Sequence, residues 1–67
     1  MQNRITVSVQ GRDYTLLAVE DAAYVQRVAA YVDGKLAELG GSGLSQTDCA
    51  VLTALNIADE RFKEQEN

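Results

Sequence analysis

The chain has 67 residues, one Cys, no His, no Trp and no Pro, and a net charge of −4. One domain is the most that this length allows, and a domain of this size buries only about 60% of the surface its unfolded chain exposes. A lone Cys without His excludes an intrachain disulfide and the nitrogen and sulfur ligands of a structural zinc site, so self-association is the remaining way to complete a thin core.

Residues Ile5, Val7 and Val9 alternate with Arg4, Thr6 and Ser8, the period-two pattern of a half-buried strand. Tyr14-Thr15-Leu16 resumes the pattern after Gln10-Gly11-Arg12-Asp13. The two runs read as a β-hairpin with a four-residue connection, its inner face made of Ile5, Val7, Val9, Tyr14 and Leu16. A lone hairpin is not stable in water, so another element must cover that face.

Glu20-Asp21 opens a segment with apolar side chains at Tyr24, Val25, Val28, Ala29, Val32, Leu36 and Leu39, the three-and-four spacing of one helix face. Asp21 is the expected N-cap, and Gly40-Gly41 the expected stop. Gly34 reads as a tolerated surface glycine, at a cost of about 1 kcal/mol relative to Ala. Gly40-Gly41-Ser42-Gly43 lacks the Lys and the preceding strand of a phosphate-binding loop, and reads as a flexible connection.

Ser45-Gln46-Thr47-Asp48 nearly matches a capping box, with Leu44 in the staple position before the cap. A second helix follows in which eight of the ten residues from Cys49 to Ala58 are apolar. On a helical wheel Val51, Leu55, Ala58 and Phe62 form one stripe, and Ala50, Ala54 and Ile57 another. A helix apolar nearly all round is buried nearly all round. One hairpin and one other helix can cover a single stripe, so the expectation is that Val51, Leu55 and Phe62 face the chain's own head and that a second copy covers another side. The small residues Ala50, Ala54 and Ala58 fit either seam. Asn56, set among apolar neighbours, is expected to need an internal hydrogen bond, and Cys49 to pack as a small apolar residue. From Asp59 the helix becomes charged, with Asp59 and Lys63 as a favourable i,i+4 pair, and the sequence ends in mid-helix, as a frayed end or the first part of a longer coiled coil would.

The fold class is therefore α+β: a β-hairpin followed by two helices, the second long and dimer-forming. Residues 1–58 are expected to form a globular head and residues 59–67 the start of a C-terminal coiled coil. The six Lys and Arg residues are dispersed and make no phosphate-neutralising stripe, which argues against nucleic acid. No run of 18 apolar residues and no signal-peptide pattern is present, so a cytoplasmic protein without a membrane anchor is expected. Without the usual nucleophile–base pairs, an enzyme would have to use carboxylates such as Glu20 with Asp21 or Glu60 with Glu64, and these lack a pocket to shift their pKa. No enzyme activity and no cofactor are expected.

Arg4-Ile5-Thr6-Val7-Ser8-Val9, Gly11-Arg12-Asp13-Tyr14, Ala29-Ala30-Tyr31-Val32-Asp33 and the run from Ala50 through Ala54-Leu55-Asn56-Ile57-Ala58-Asp59 to Glu60 together resemble the ZapA family of bacterial cell-division proteins. The resemblance extends from residue 4 to residue 61. It implies a head of one hairpin and two helices, a coiled coil continuing the second helix, dimerisation of heads and pairing of dimers into a tetramer, and binding to the tubulin-like protein FtsZ in the midcell ring. It also implies that charged head residues meet FtsZ. By motif position the Arg of the Gly-Arg-x-Tyr turn maps to Arg12, and Arg4 is a second partner-binding candidate. Alternatively Arg12 neutralises Asp13 or Asp21 within its own head, and the chain is an oligomerisation head or adaptor for another bacterial partner. From Asp59 onward, however, Phe62 is the sole large apolar side chain in barely more than one heptad, so these 67 residues are expected to stop at a dimer of heads.

Overall fold

The computed structural model describes residues 2–66, and for Glu66 the backbone only. The strands β1 (Asn3–Val9) and β2 (Arg12–Ala18) form an antiparallel hairpin, followed by helices α1 (Ala22–Ala37) and α2 (Gln46–Glu66). This is the expected order and fold class. Val9 pairs with Arg12, so the connection is two residues long and not four. Gln10 and Gly11 both have positive φ, 54° and 77°. That is the backbone of a type I′ turn, whose twist matches the strands it joins, and it draws Arg12 and Asp13 into β2.

Residues paired across the hairpin share a face. Ile5 with Leu16, Val7 with Tyr14 and Val9 with Arg12 lie on one side, and Arg4 with Leu17, Thr6 with Thr15 and Ser8 with Asp13 on the other. The Thr6 and Thr15 hydroxyls meet at 3.1 Å on the polar side. Helix α1 covers the apolar side, mainly over β1: Val25 and Ala29 pack with Ile5 and Val7, these four form the buried apolar core, and Val9 and Ala18 pack against it. Two polar contacts fix this docking. Gln26 Nε2 donates to the Thr6 carbonyl at 2.9 Å, and Asp33 Oδ1 accepts from the Gln10 backbone N–H at 2.9 Å and from Gln10 Nε2 at 3.0 Å.

Asp21 caps α1 as expected, accepting from the Tyr24 N–H at 2.8 Å. The helix ends at Ala37, before the glycines, and a turn follows in which Gly40 N–H donates to the Ala37 carbonyl and Ser42 N–H to that of Leu39. Gly41 and Gly43 then carry positive φ, as a chain reversing direction between two helices requires. Nothing lies within 4 Å of a Cβ built at Gly34, so it is a surface glycine. Ser45 caps α2, its Oγ accepting from the Asp48 N–H at 3.1 Å.

Helix α2 packs on α1. The molecule measures 39 × 35 × 15 Å. The 15 Å thickness is that of α1 laid on the hairpin, and the head is a slab whose core covers only half of the sheet. Its missing half explains why Tyr14 (48% exposed) and Leu16 (43% exposed), on the core side of β2, stay uncovered.

Candidate interaction surfaces

The side of α2 that meets α1 is Cys49, Thr53, Ile57 and Glu60, spaced four, four and three residues apart. Thr53 is 3% exposed, the most buried residue of this helix, and its hydroxyl has no hydrogen-bond partner among the described residues. Cys49 is half-buried, in line with a packing role. The expected inner stripe points elsewhere. Val51, Leu55 (60% exposed) and Phe62 (63% exposed) face solvent, so Phe62 does not continue the inner stripe. Asn56 is exposed and needs no internal partner. On the wheel Thr53 sits between Cys49 and Ile57, and a threonine methyl packs as well as an alanine there.

Ala50, Ala54 and Ala58 take neither that seam nor the Leu55 side but lie between them. With Val32, Leu36 and Ile57 they line an open groove of about 410 Å³ between the two helices, and Arg61 closes one end. The Ala stripe is thus outside the internal seam. Together with Val51, Leu55 and Phe62 it makes a broad uncovered apolar surface on α2.

A second groove, of about 220 Å³, lies where the hairpin turn meets the end of α1 and the start of α2. Its apolar walls include Val9, Leu36, Leu44 and Ala50, and its polar groups are Gln10, Arg12, Tyr14 and Gln46. Arg12 is the one charged side chain in this lining. Among the described residues no carboxylate comes within 4.0 Å of it, and its ionic partner is neither Asp13 nor Asp21. The structure therefore places Arg12 in a groove on the core side of the hairpin, where the sequence pattern had placed it on a four-residue loop. Arg4 sits on the opposite face and five register positions away, on the order of 17 Å along the strand. The two arginines do not form one patch.

A cluster that sequence reading did not single out joins α1 to α2. Glu60 accepts a short hydrogen bond from the Tyr31 hydroxyl and an ion pair from Lys35 at 3.0 Å. The Lys35 ammonium lies 5.6 Å from the Tyr31 ring centroid. The Tyr31 hydrogen bond, then that from Lys35, holds the Glu60 carboxyl below the ordinary carboxylate range. In return Glu60 pushes the Lys35 ammonium and the Tyr31 phenol up. The i,i+4 spacing of Tyr31 and Lys35 marks one helix surface, but nothing local links it to Glu60. One turn further, Lys63 pairs with Asp59 at 2.9 Å, the i,i+4 pair expected from the sequence.

No described helix is long and apolar enough to cross a membrane. Comparison with known proteins gives the context. The family model for cell division protein ZapA matches residues 5–67. A cell division protein ZapA from Shouchella clausii is 45% identical over 64 residues, covering 92% of this chain and 82% of the relative. One from Geobacillus thermodenitrificans is 40% identical over 67 residues, covering 97% and 74%. Among solved structures, a ZapA mutant dimer from Geobacillus stearothermophilus superposes with a TM-score of 0.82 at 38% identity, covering 98% of this chain and 79% of that one. The solved dimer shares this chain's fold at 38% identity, and with the family model matching residues 5–67 the chain belongs to the ZapA family of cell division proteins.

Proposed function

We propose that this chain acts in cell division without catalysis, as a homodimer that binds FtsZ filaments and promotes their association in the cytoplasmic ring at midcell. The observation that carries this reading is family membership over the whole head, from the first strand to the end of α2. The physical character of the molecule supports it. A slab 15 Å thick with one apolar side uncovered is half of an assembly, and the dimeric state of its structural neighbour is the form that supplies the other half. Residues 1–58 supply the head and 59–67 the beginning of the extension that would pair dimers.

Sedimentation of polymerised FtsZ tests the reading. With the chain present at stoichiometric concentration, it is expected in the pellet with the filaments, and it stays in the supernatant when FtsZ is omitted. A chain that remains soluble beside pelleted filaments would overturn the FtsZ reading in favour of an adaptor head for a different bacterial partner.

A further inference from the structure

The seam between α1 and α2 buries one group that gains nothing by being there. Thr53 is 3% exposed, and its hydroxyl has no partner among the described residues. Beside it the alanines at 50, 54 and 58 border an open groove of about 410 Å³, with Val32 and Leu36 as its α1 wall. Each residue on the seam side of α2 immediately precedes one that lines this groove: Cys49 precedes Ala50, Thr53 precedes Ala54, Ile57 precedes Ala58, and Glu60 precedes Arg61. Turning α2 about its axis by one residue step, about 100°, therefore sets each groove residue in the place of its predecessor. The groove closes and the Thr53 hydroxyl reaches water. Three alanines allow close approach of the helices, which offsets the withdrawal of Ile57 from the seam. What opposes the turn is electrostatic. Among the described residues the polar ties between the two helices both end on Glu60, from the Tyr31 hydroxyl and from Lys35 at 3.0 Å. After the turn Arg61 faces Lys35 where Glu60 faces it now, cation against cation.

We propose that α2 has two seats on α1, and that Tyr31, Lys35 and Glu60 form the latch that holds it in the seat seen here. In the turned seat the alanine stripe packs on the chain's own α1 and is withdrawn from the open side of α2. That self-covered state competes with a second copy for the same stripe, so it is an autoinhibitory contact. The latch sets how readily the chain dimerises, and it does so from the internal seam, away from the surface that the second copy meets. This inference rests on the homodimer reading above and adds a control to it.

Sedimentation equilibrium together with methyl NMR of the full chain tests the proposal. Lys35→Glu sets a carboxylate against Glu60 and opposite the turned position of Arg61, so it favours the turned seat on both counts. It is expected to weaken dimerisation about tenfold or more. In the same variant the Overhauser contacts of the Ala54 methyl with Val32 are expected to strengthen as those of the Thr53 methyl fade, while the Ile5 and Val7 resonances stay in place. Adding Thr53→Val removes the hydroxyl that gains by leaving the seam, and is expected to recover about fivefold of the lost affinity. Glu60→Gln, which loses the ion pair and keeps the side-chain shape, is expected to weaken dimerisation about threefold with the same Overhauser shift, and it decides the matter if Lys35→Glu disturbs the fold. If the unmodified chain is a monomer, the homodimer reading fails, and the second seat stands or falls on the Overhauser shift alone. If the unmodified chain is a dimer and both latch variants match it in affinity, with Thr53 still against α1, the latch is overturned while the homodimer reading stands. Loss of the Ile5 and Val7 resonances along with those of α2 in both variants would overturn it too, showing a general loss of fold in place of a turn.

Discussion

Thr53 shows how far a single polar side chain can mislead. In the sequence it interrupts an apolar run, yet in the fold it is the best-buried residue of α2, and its hydroxyl is unpartnered among the described residues. A buried hydroxyl without a hydrogen bond costs about 1–3 kcal/mol of desolvation. Val keeps the shape and removes the oxygen. Thr53→Val is therefore expected to stabilise the fold by about 1 kcal/mol, seen as a higher denaturant midpoint at unchanged slope. A loss of stability would show that the hydroxyl is satisfied in the assembled protein. Arg12 makes the complementary point, because its residue type and motif were legible as a partner-binding candidate, but its groove was not. The groove follows from the two-residue turn, and Gln10, a non-glycine at positive φ, hides that turn from a reading that favours Gly or Asn-Gly at such positions.

At the scale of elements, the strands and helices were legible because alternation and three-and-four spacing are local signals, and so were both N-caps, Asp21 and Ser45. The rotation of α2 was not. With nearly every position apolar between Cys49 and Ala58, the helix has no polar side to orient it, and the deciding contact is the non-local one of Tyr31 and Lys35 with Glu60. This cluster makes the α1–α2 docking pH-dependent in two windows. Glu60, whose folded pKa is depressed, contributes stability that is present above its ordinary value of 4.5 and is lost as pH falls through the lower folded value. Tyr31 and Lys35, whose folded values are raised, contribute stability that is fully present below 10.0 and 10.5 and is lost as pH rises through the folded values. Glu60→Gln is expected to remove the acid-side dependence that this residue supplies and to lower the melting temperature near neutral pH. Tyr31→Phe should flatten the alkaline limb. An unchanged pH–stability profile in both variants would mean that the cluster does not hold the helices together.

The whole molecule is explained by what it lacks. Among the described residues Ile5, Val7, Val25 and Ala29 are the buried apolar side chains, a core too small for a stable domain of this length. Meanwhile Tyr14, Leu16, Val51, Leu55 and Phe62 stay open. A need for a second copy was legible from composition alone, through the absent disulfide, the absent metal ligands and the all-round apolar helix. Which side receives that copy was not legible, because the sequence pattern assigned Val51, Leu55 and Phe62 inward and the fold turns them out. The assignment matters for mutagenesis. Ile57 is at the internal seam, so Glu there should unfold the head, whereas Ala54→Glu and Leu55→Glu lie on the open side and should separate the copies first.

Sedimentation equilibrium of the unmodified chain at micromolar concentration, with Leu55→Glu beside it, tests the half-core reading most directly. The expected result is a mass twice that of the chain for the unmodified protein, and a shift toward monomer with a lower melting temperature for the variant. A unmodified chain that stays a cooperative, well-folded monomer, with Leu55→Glu indistinguishable from it, would contradict the reading.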